Sequence, residues 1–250
     1  MLRRIRNALS MRRQSGRLRS LEQSGLRRFV PPVDATTSVL IIGAGPSASR
    51  EALEDLLPRY DYTIAINSAR NVAQTADVFS FEFAYRHADV RETQFAALES
   101  VDHARAVIKP FSLAALTADE LRQVVKVWRD GGVDSPAFLD HRQISPIFAS
   151  KHPEILVRRN RPAMQWRGSV TVWLDTCWLA GVRKIGLIGT DMGQMNENGE
   201  FEHHLTNQDR DDGPGVLRLL DTLCRTGYLE GVEFDHHHPN PVLRDILKPR

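Results

Sequence analysis

Apolar residues in this chain gather into short runs rich in Val, Ile and Phe, at 38–43 (SVLIIG), 62–67 (YTIAIN), 77–82 (DVFSFE), 104–108 (ARAVI), 184–189 (KIGLIG) and 231–236 (GVEFDH). Between them the spacing changes to the three-and-four rhythm of a helix, at 49–57, 89–99, 117–131, 169–181 and 214–227. Strand-like runs alternating with helices of this length predict βαβ units. The implied class is α/β: a Rossmann-like, mostly parallel sheet with helices on both faces. One stretch, 132–167, shows neither rhythm; it carries four prolines and many basic residues and reads as an inserted lid. Within the fourth helix, Val170, Trp173, Leu174, Cys177 and Trp178 recur at helical spacing and predict a core-facing stripe.

Composition alters this picture mainly at the amino-terminal end. With 250 residues, 42% of them hydrophobic, the chain can bury one sizeable core. Cys177 and Cys224 show no CxxC spacing and read as buried free thiols in a reducing compartment. No apolar run reaches the roughly eighteen residues of a membrane span, and residues 1–30 lack the apolar centre of a signal peptide. The expected location is therefore cytoplasmic. The net charge of +2 conceals an asymmetry: residues 1–34 hold nine Arg against Glu22 and Asp34, a net of +7, whereas the remainder is net −5. Residues 1–34 are thus expected to form a basic arm, separated by Pro31-Pro32 from a single domain over 35–250. Leu2, Ile5 and Leu9 share one helical face, as do Leu18 and Leu21. Two readings of the arm stay open: a solvated, disordered tail, or an amphipathic helix docked on anionic headgroups at the inner face of the membrane. Nucleic acid is not an expected partner, because aromatic residues do not interleave the arginines.

Ligands of such sheets sit beyond the carboxyl ends of the strands, so the turns there carry the candidate chemistry. They are Gly43-Ala44-Gly45-Pro46-Ser47, Asn67-Ser68, Gly189-Thr190-Asp191 and His236-His237-His238-Pro239-Asn240, with Arg167-Gly168-Ser169 opening the fourth helix. Gly43 and Gly45 permit a tight turn and a close backbone approach, and the helix after them offers N–H groups to a phosphate. A dinucleotide fingerprint would place a third glycine at 48 and an acid at the end of the second strand; this chain has Ala48 and Asn67. The corner therefore suits a nucleotide phosphate better than NAD, with a plain structural turn as the alternative. Asp191 either orients its loop or, less in keeping with its surroundings, binds metal. His236, His237 and His238 alternate across a strand, do not converge on one ion, and read as strand-end structure, with active-site lining as the alternative. No metal site is expected.

A family resemblance rests on four segments in order. "IIGAGPSASREALEDLLPRYDYTIAINSA" resembles the nucleotide motif of bacterial sialyltransferases of glycosyltransferase family 42, where a G-x-GPS corner leads into a helix and a strand ending in Asn. "RGSVTVWLDTCWLAGVRKIGLIGTDM" is similar to that family's middle motif, "HLTNQD" (His204 to Asp209) to its His-x-x-Asn-x-Asp segment, and "HHPNPVL" to its Cys-Pro-Asn turn. The resemblance implies a variant of the GT-A arrangement and an inverting transfer. A 2-keto sugar acid, sialic acid-like or Kdo-like, would move from its CMP donor to a hydroxyl of a cell-surface glycan, without cofactor or metal. It implies that Gly43, Gly45, Ser47 and Asn67 lie along the CMP moiety. Arg167, Gly168 and Ser169 would lie near the sugar carboxylate or phosphate, Asp191 and Asn240 at the nucleotide turns, and His204 would be the general base. Imidazole suits that task because it titrates near working pH. The implied partners are a nucleotide sugar and a glycan acceptor, with self-association left open.

The chain also departs from the pattern. The family places two phosphate-binding tyrosines after the Gly-x-Asp turn; here those places hold Gly193 and about Gly199, and no Tyr occurs between Tyr85 and Tyr228. Arg158, Arg159, Arg161 and Arg167 are candidate substitutes, since a guanidinium forks onto phosphate, the first three alternatively being a surface charge run. Two other functions stay open: a pyrophosphokinase-like or other nucleotide-dependent transferase needing Mg²⁺, and a catalytically silent nucleotide- or glycan-binding accessory protein.

Overall fold

The computed structural model describes residues 2–81, 102–109, 117–191, 193–195, 201–203, 209, 211 and 213–248. The helix expected at 89–99 and the general-base candidate His204 lie outside the described residues. The chain divides into two compact units, residues 1–31 with 78–142 and residues 32–77 with 143–250.

In the first unit, helix α1 (Leu2–Gln23) stops at Gly25, whose φ of 89° lies in the left-handed region that glycine enters at little cost. The N–H of Leu26 then bonds back to the carbonyl of Leu21 at 3.1 Å, and the chain leaves as strand β1 (Arg27–Phe29). β1 pairs in parallel with β6 (Ala137–Leu139), β6 with β5 (Ala106–Ile108), and β5 with β4 (Val78–Phe81). Helix α3 (Ala118–Asp130) opens on a capping box: Thr117 accepts from the N–H of Glu120, and Glu120 accepts from the N–H of Thr117. Its Val124 and Trp128, one turn apart, are fully buried.

This unit corrects the expected boundary of the basic arm. Leu18 is 0% and Leu21 4% exposed, and β1 is a strand of the unit's sheet. Those two leucines face protein, not lipid. Arg28 is held in place by Glu22 at 2.6 Å and Asp140 at 2.9 Å. Pro31-Pro32 therefore follows a built-in strand and does not cut off a free arm. The 132–167 segment is likewise not an irregular lid. It contains β6, β7 (His141–Gln143), α4 (Pro146–Lys151), α5 (Pro153–Leu156) and β8 (Ala163–Gln165). Two of its four prolines, Pro146 and Pro153, start helices, at the first positions of α4 and α5, where a missing N–H costs nothing.

The second unit carries a parallel sheet in the order β3 (Tyr62–Ile66), β2 (Ser38–Ile42), β9 (Lys184–Ile188), β12 (Glu233–His236). Val39 of β2 stands opposite Tyr62 on one side and Ile185 on the other. Val39, Leu40, Ile41 and Ile42 are all fully buried, the continuous apolar strand that a parallel sheet covered on both faces requires. Helix α2 (Arg50–Leu56) carries the chain from β2 to β3, whereas β9 and β12 lie on the opposite side of β2. The order thus reverses between β2 and β9, and such a switch point is where open α/β sheets form a crevice.

Helix α6 (Gly168–Leu179) is buried nearly all round and not along one stripe: Thr171 through Trp178 are inaccessible, while Val170 is partly exposed. Within it Asp175, at 0% exposure, takes a two-pronged ion pair from Arg161 at 2.6 and 2.7 Å and the N–H of Met164 at 2.6 Å. Cys177 is buried, and burial pushes its thiol up to about 12; Cys224, on α7 (Val216–Cys224), is only partly buried. The remaining elements of this unit are the antiparallel pair β10 (Gly193–Met195) and β11 (Phe201–His203), and helix α8 (Pro241–Ile246).

Candidate functional site

The switch point is closed by the protein's own backbone. The N–H of Gly43 bonds the carbonyl of Ile188, and the N–H of Gly45 that of Gly189, both at 2.8 Å. A Cβ at Gly43 would stand 2.1 Å from the oxygen of Gly189, and one at Gly45 would stand 2.3 Å from Oδ2 of Asp191. Glycine is required at both positions because two strand ends cross in contact. Ser47 then joins the turns: its N–H donates to Asp191 Oδ2 at 2.9 Å, its hydroxyl donates to Asp191 Oδ1 at 2.5 Å, and it accepts from the N–H of Gly189 at 2.9 Å. On the far side Asn240 donates from Nδ2 to the carbonyl of Asp191 at 2.9 Å, while its Oδ1 caps α8 through the N–H of Leu243 at 3.1 Å.

This network changes the reading of several predicted residues. The amides of Gly43, Gly45 and Ser47 are engaged within the protein, so they do not form a phosphate cradle; the structural-turn alternative holds for their donors. Asp191 orients its loop, as one of its two readings had it. Asn240 has both ends of its amide engaged and acts as a brace between α8 and the β9 turn.

Asn67 and the start of α6 are differently placed. Asn67 leaves β3 with φ of 54°, a left-handed conformation that Asn tolerates better than most residues. That conformation brings its Nδ2 within 3.5 Å of Ser169 Oγ, while its Oδ1 is buried and meets no donor among the described residues. Helix α6 begins at Gly168, in left-handed conformation at φ 69°, and no side chain caps it. Its first turn and positive dipole end therefore lie beside Asn67.

Two further residues carry features to which sequence reasoning assigned no role. Arg70, on the 3₁₀ turn Asn67–Asn71, directs its guanidinium to the carbonyl of Asn67 at 3.4 Å, and burial lowers its pKa. Thr190, between Gly189 and Asp191, has a buried hydroxyl without a partner among the described residues. Nothing in the spacing of either marks it; only the adjacency of Thr190 to Asp191 offers a hint.

The other candidates divide. Arg161 is the partner of Asp175, and Arg159 lies over the Trp178 ring at 4.7 Å and donates to the carbonyl of Glu230; neither is a free surface charge. Arg158 is exposed, as a surface charge run would have it. Arg167 is buried, and its charge is among the causes that lower Asp209, after the N–H of Gly215 and the nearby Arg218. Asp209, the last residue of the His-x-x-Asn-x-Asp segment, is thus within electrostatic reach of Arg167. β11 sets the backbone of His203 opposite Gly193, two residues beyond Asp191.

The histidines alternate as expected. His237 Nε2 meets Tyr60 Oη at 2.8 Å, and Tyr60 also donates to Asp235 at 2.9 Å. His236 Nδ1 and His238 Nε2 face each other at 3.1 Å. Among the described residues no three His, Cys, Asp or Glu side chains converge on a metal position.

No family model and no curated protein matches the sequence. Among solved structures, the chain is similar to the MAf glycosyltransferase of Magnetospirillum magneticum AMB-1, at 16% identity and a TM-score of 0.50 over 86% of this chain and 33% of that one. This chain thus spans about a third of that protein's length. It is also matched with the sialyltransferase CstII of Campylobacter jejuni, solved with cytidine-5'-monophosphate and with CMP-3FNeuAc. Those two matches are at 14% identity, with TM-scores of 0.43 and 0.40, over 87% and 86% of this chain and 86% of that one. The first likeness shows the fold: an α/β, Rossmann-like fold of the kind that glycosyltransferase uses.

Proposed function

We propose that the second unit binds a CMP-activated 2-keto sugar and transfers the sugar to a glycan hydroxyl, with His204 as general base and no metal. The observation that carries this reading is the meeting of Asn67 with the uncapped start of α6 at the carboxyl ends of a parallel sheet. A phosphate or carboxylate suits the helix N-terminus. The buried acceptor of Asn67 suits a donor on the ribose or base, and an amide there disfavours the dinucleotide alternative. Asn67, Arg167, Gly168, Ser169 and Arg70 would line the donor site. Gly43, Gly45, Ser47, Asp191 and Asn240 would hold its floor through their contacts with one another. The fold shared with a glycosyltransferase supports the class by analogy. The order of the sequence motifs, with His204 opening the His-x-x-Asn-x-Asp segment, supports the base.

Among the described residues no helix is long and apolar enough to cross a membrane. Attachment at the inner face of the membrane would rest on the arginines ahead of Leu18. A silent binding protein is the second reading, favoured by Gly193 where the resembling family has a tyrosine.

The test is a thermal-shift and turnover experiment. CMP at a hundredfold excess over its Kd should stabilise by about 2.7 kcal/mol without Mg²⁺, and NAD should not. His204→Ala should leave that shift intact and lower transfer by roughly 10²–10⁴-fold. Stabilisation by NAD alone would refute the nucleotide assignment, and a strict Mg²⁺ requirement would transfer the protein to the pyrophosphokinase-like class. Binding of CMP without any transfer by wild type would select the silent protein.

A further inference from the structure

The turn after β12 contains a titratable contact that the donor site does not use. Two imidazoles, His236 and His238, stand perpendicular with Nδ1 and Nε2 only 3.1 Å apart. A contact of that length holds one proton, donated by one ring and accepted by the other. His238 is 1% exposed, and its Nδ1 has no partner among the described residues. From α8, Arg244 donates to the carbonyl of His238 at 2.7 Å, which brings a permanent positive charge against the pair. Asp235 on the same strand draws the other way, but its carboxylate is engaged by Tyr60 at 2.9 Å and Lys184 at 3.3 Å. His237 points to the opposite face, near Tyr60, Arg59 and Lys184, and adds no favourable charge.

We infer that the His236–His238 pair is an acid-opened latch on the switch point: a second proton forces the turn at 236–240 apart and releases Asn240 from Asp191. The inference goes beyond the donor-site reading and does not depend on what that site binds. Burial first, then the neighbouring histidine and Arg244, hold His238 down at about 4, and burial followed by Arg244 holds His236 below its ordinary value. Once the turn opens, both rings regain the usual histidine value near 6.5. The open form therefore binds protons that the closed form refuses. The latch is fully closed above about pH 6.5 and weakens as the pH falls from there toward 4. Each histidine multiplies the open population by up to tenfold per pH unit in that window. Asn240 is the mechanical link, since one side of its amide holds the carbonyl of Asp191 and the other caps α8.

Amide hydrogen exchange on the full chain tests this, with the N–H groups of His237, Leu243 and Leu247 as reporters and those of β2 as the reference. After correction for intrinsic rates, protection of the reporters should fall at least tenfold more than that of β2 between pH 7 and 5. His236→Gln, which can keep a hydrogen bond to His238 without titrating, should remove at least half of that excess on a logarithmic scale. Arg244→Gln, which can still donate to the carbonyl of His238, should also reduce it, and His152→Gln, at a half-buried histidine beside Glu154 on another element, should not. If His238→Gln does not fold, His236→Gln and Arg244→Gln decide the question. Uniform loss of protection over β2 and the turn would overturn the latch. So would an unchanged pH response in both of those variants.

Discussion

Ser47→Ala separates a structural serine from a ligand-binding one. The hydroxyl donates to the Asp191 carboxylate at 2.5 Å and accepts from the N–H of Gly189 at 2.9 Å. Removing it loses one charge-assisted hydrogen bond, about 1.5–3 kcal/mol, and leaves a buried N–H without a partner, about 1–3 kcal/mol. The surviving bond from the N–H of Ser47 to Asp191 Oδ2 limits the collapse. The expected loss is about 3–4 kcal/mol, or a fall in Tm of about 10 °C for a chain of this size. Tryptophan fluorescence in urea is the assay, because Trp166, Trp173 and Trp178 all belong to the second unit and only Trp128 to the first. The midpoint should drop with the slope unchanged. A loss below about 1 kcal/mol, together with a loss of nucleotide affinity, would refute the structural role and return Ser47 to the ligand.

Two further outcomes follow from buried charge and from the amino-terminal helix. Arg161→Met should cost about 3–5 kcal/mol by stranding Asp175, and Arg161→Met with Asp175→Leu should recover most of it; urea unfolding of both variants checks this. The single variant should lose less at pH 5 than at pH 8, because a buried carboxyl without its cation binds a proton more tightly folded than unfolded. Removing residues 1–12 takes away four arginines while keeping Leu18, Leu21 and β1. It should weaken sedimentation with phosphatidylserine vesicles by up to about 10³-fold, at about 1 kcal/mol per arginine, whereas removing residues 1–30 should unfold the first unit, as read by circular dichroism.

The long apolar strands were legible because a strand buried on both faces leaves little else its residues could do. β2, β3, β9 and β12 lie within or beside their predicted runs. The three-residue strands β1 and β6 were not, since RRF and AFL are too short to show a period. Leu18 and Leu21 illustrate a different limit. Periodicity tells which residues share a helical face, but the same leucines can face lipid or a protein core, and only the chain that folds over them decides. For Asn67 the sequence showed an amide where a carboxylate would stand, but not the left-handed backbone that turns that amide toward α6.

The glycine corner shows where such a reading can be strengthened. Gly43 and Gly45 say that a backbone comes close to something, and a nucleotide is one candidate. A second glycine turn, Gly189-Thr190-Asp191, ends another strand of the same type. When two parallel strands both end in glycine, the economical partner for each is the other, since adjacent strands bring their ends together whether or not a ligand is present. Had the two turns been paired on that ground, the Ser47–Asp191 contact would have followed from the polar side chains just beyond each glycine. The donors left for a ligand are then those of the remaining turns, Asn67 and the start of α6. The close approach at Gly43 and Gly45 is thus evidence for the β2–β9 junction first, and for a nucleotide only through what that junction leaves open beside it.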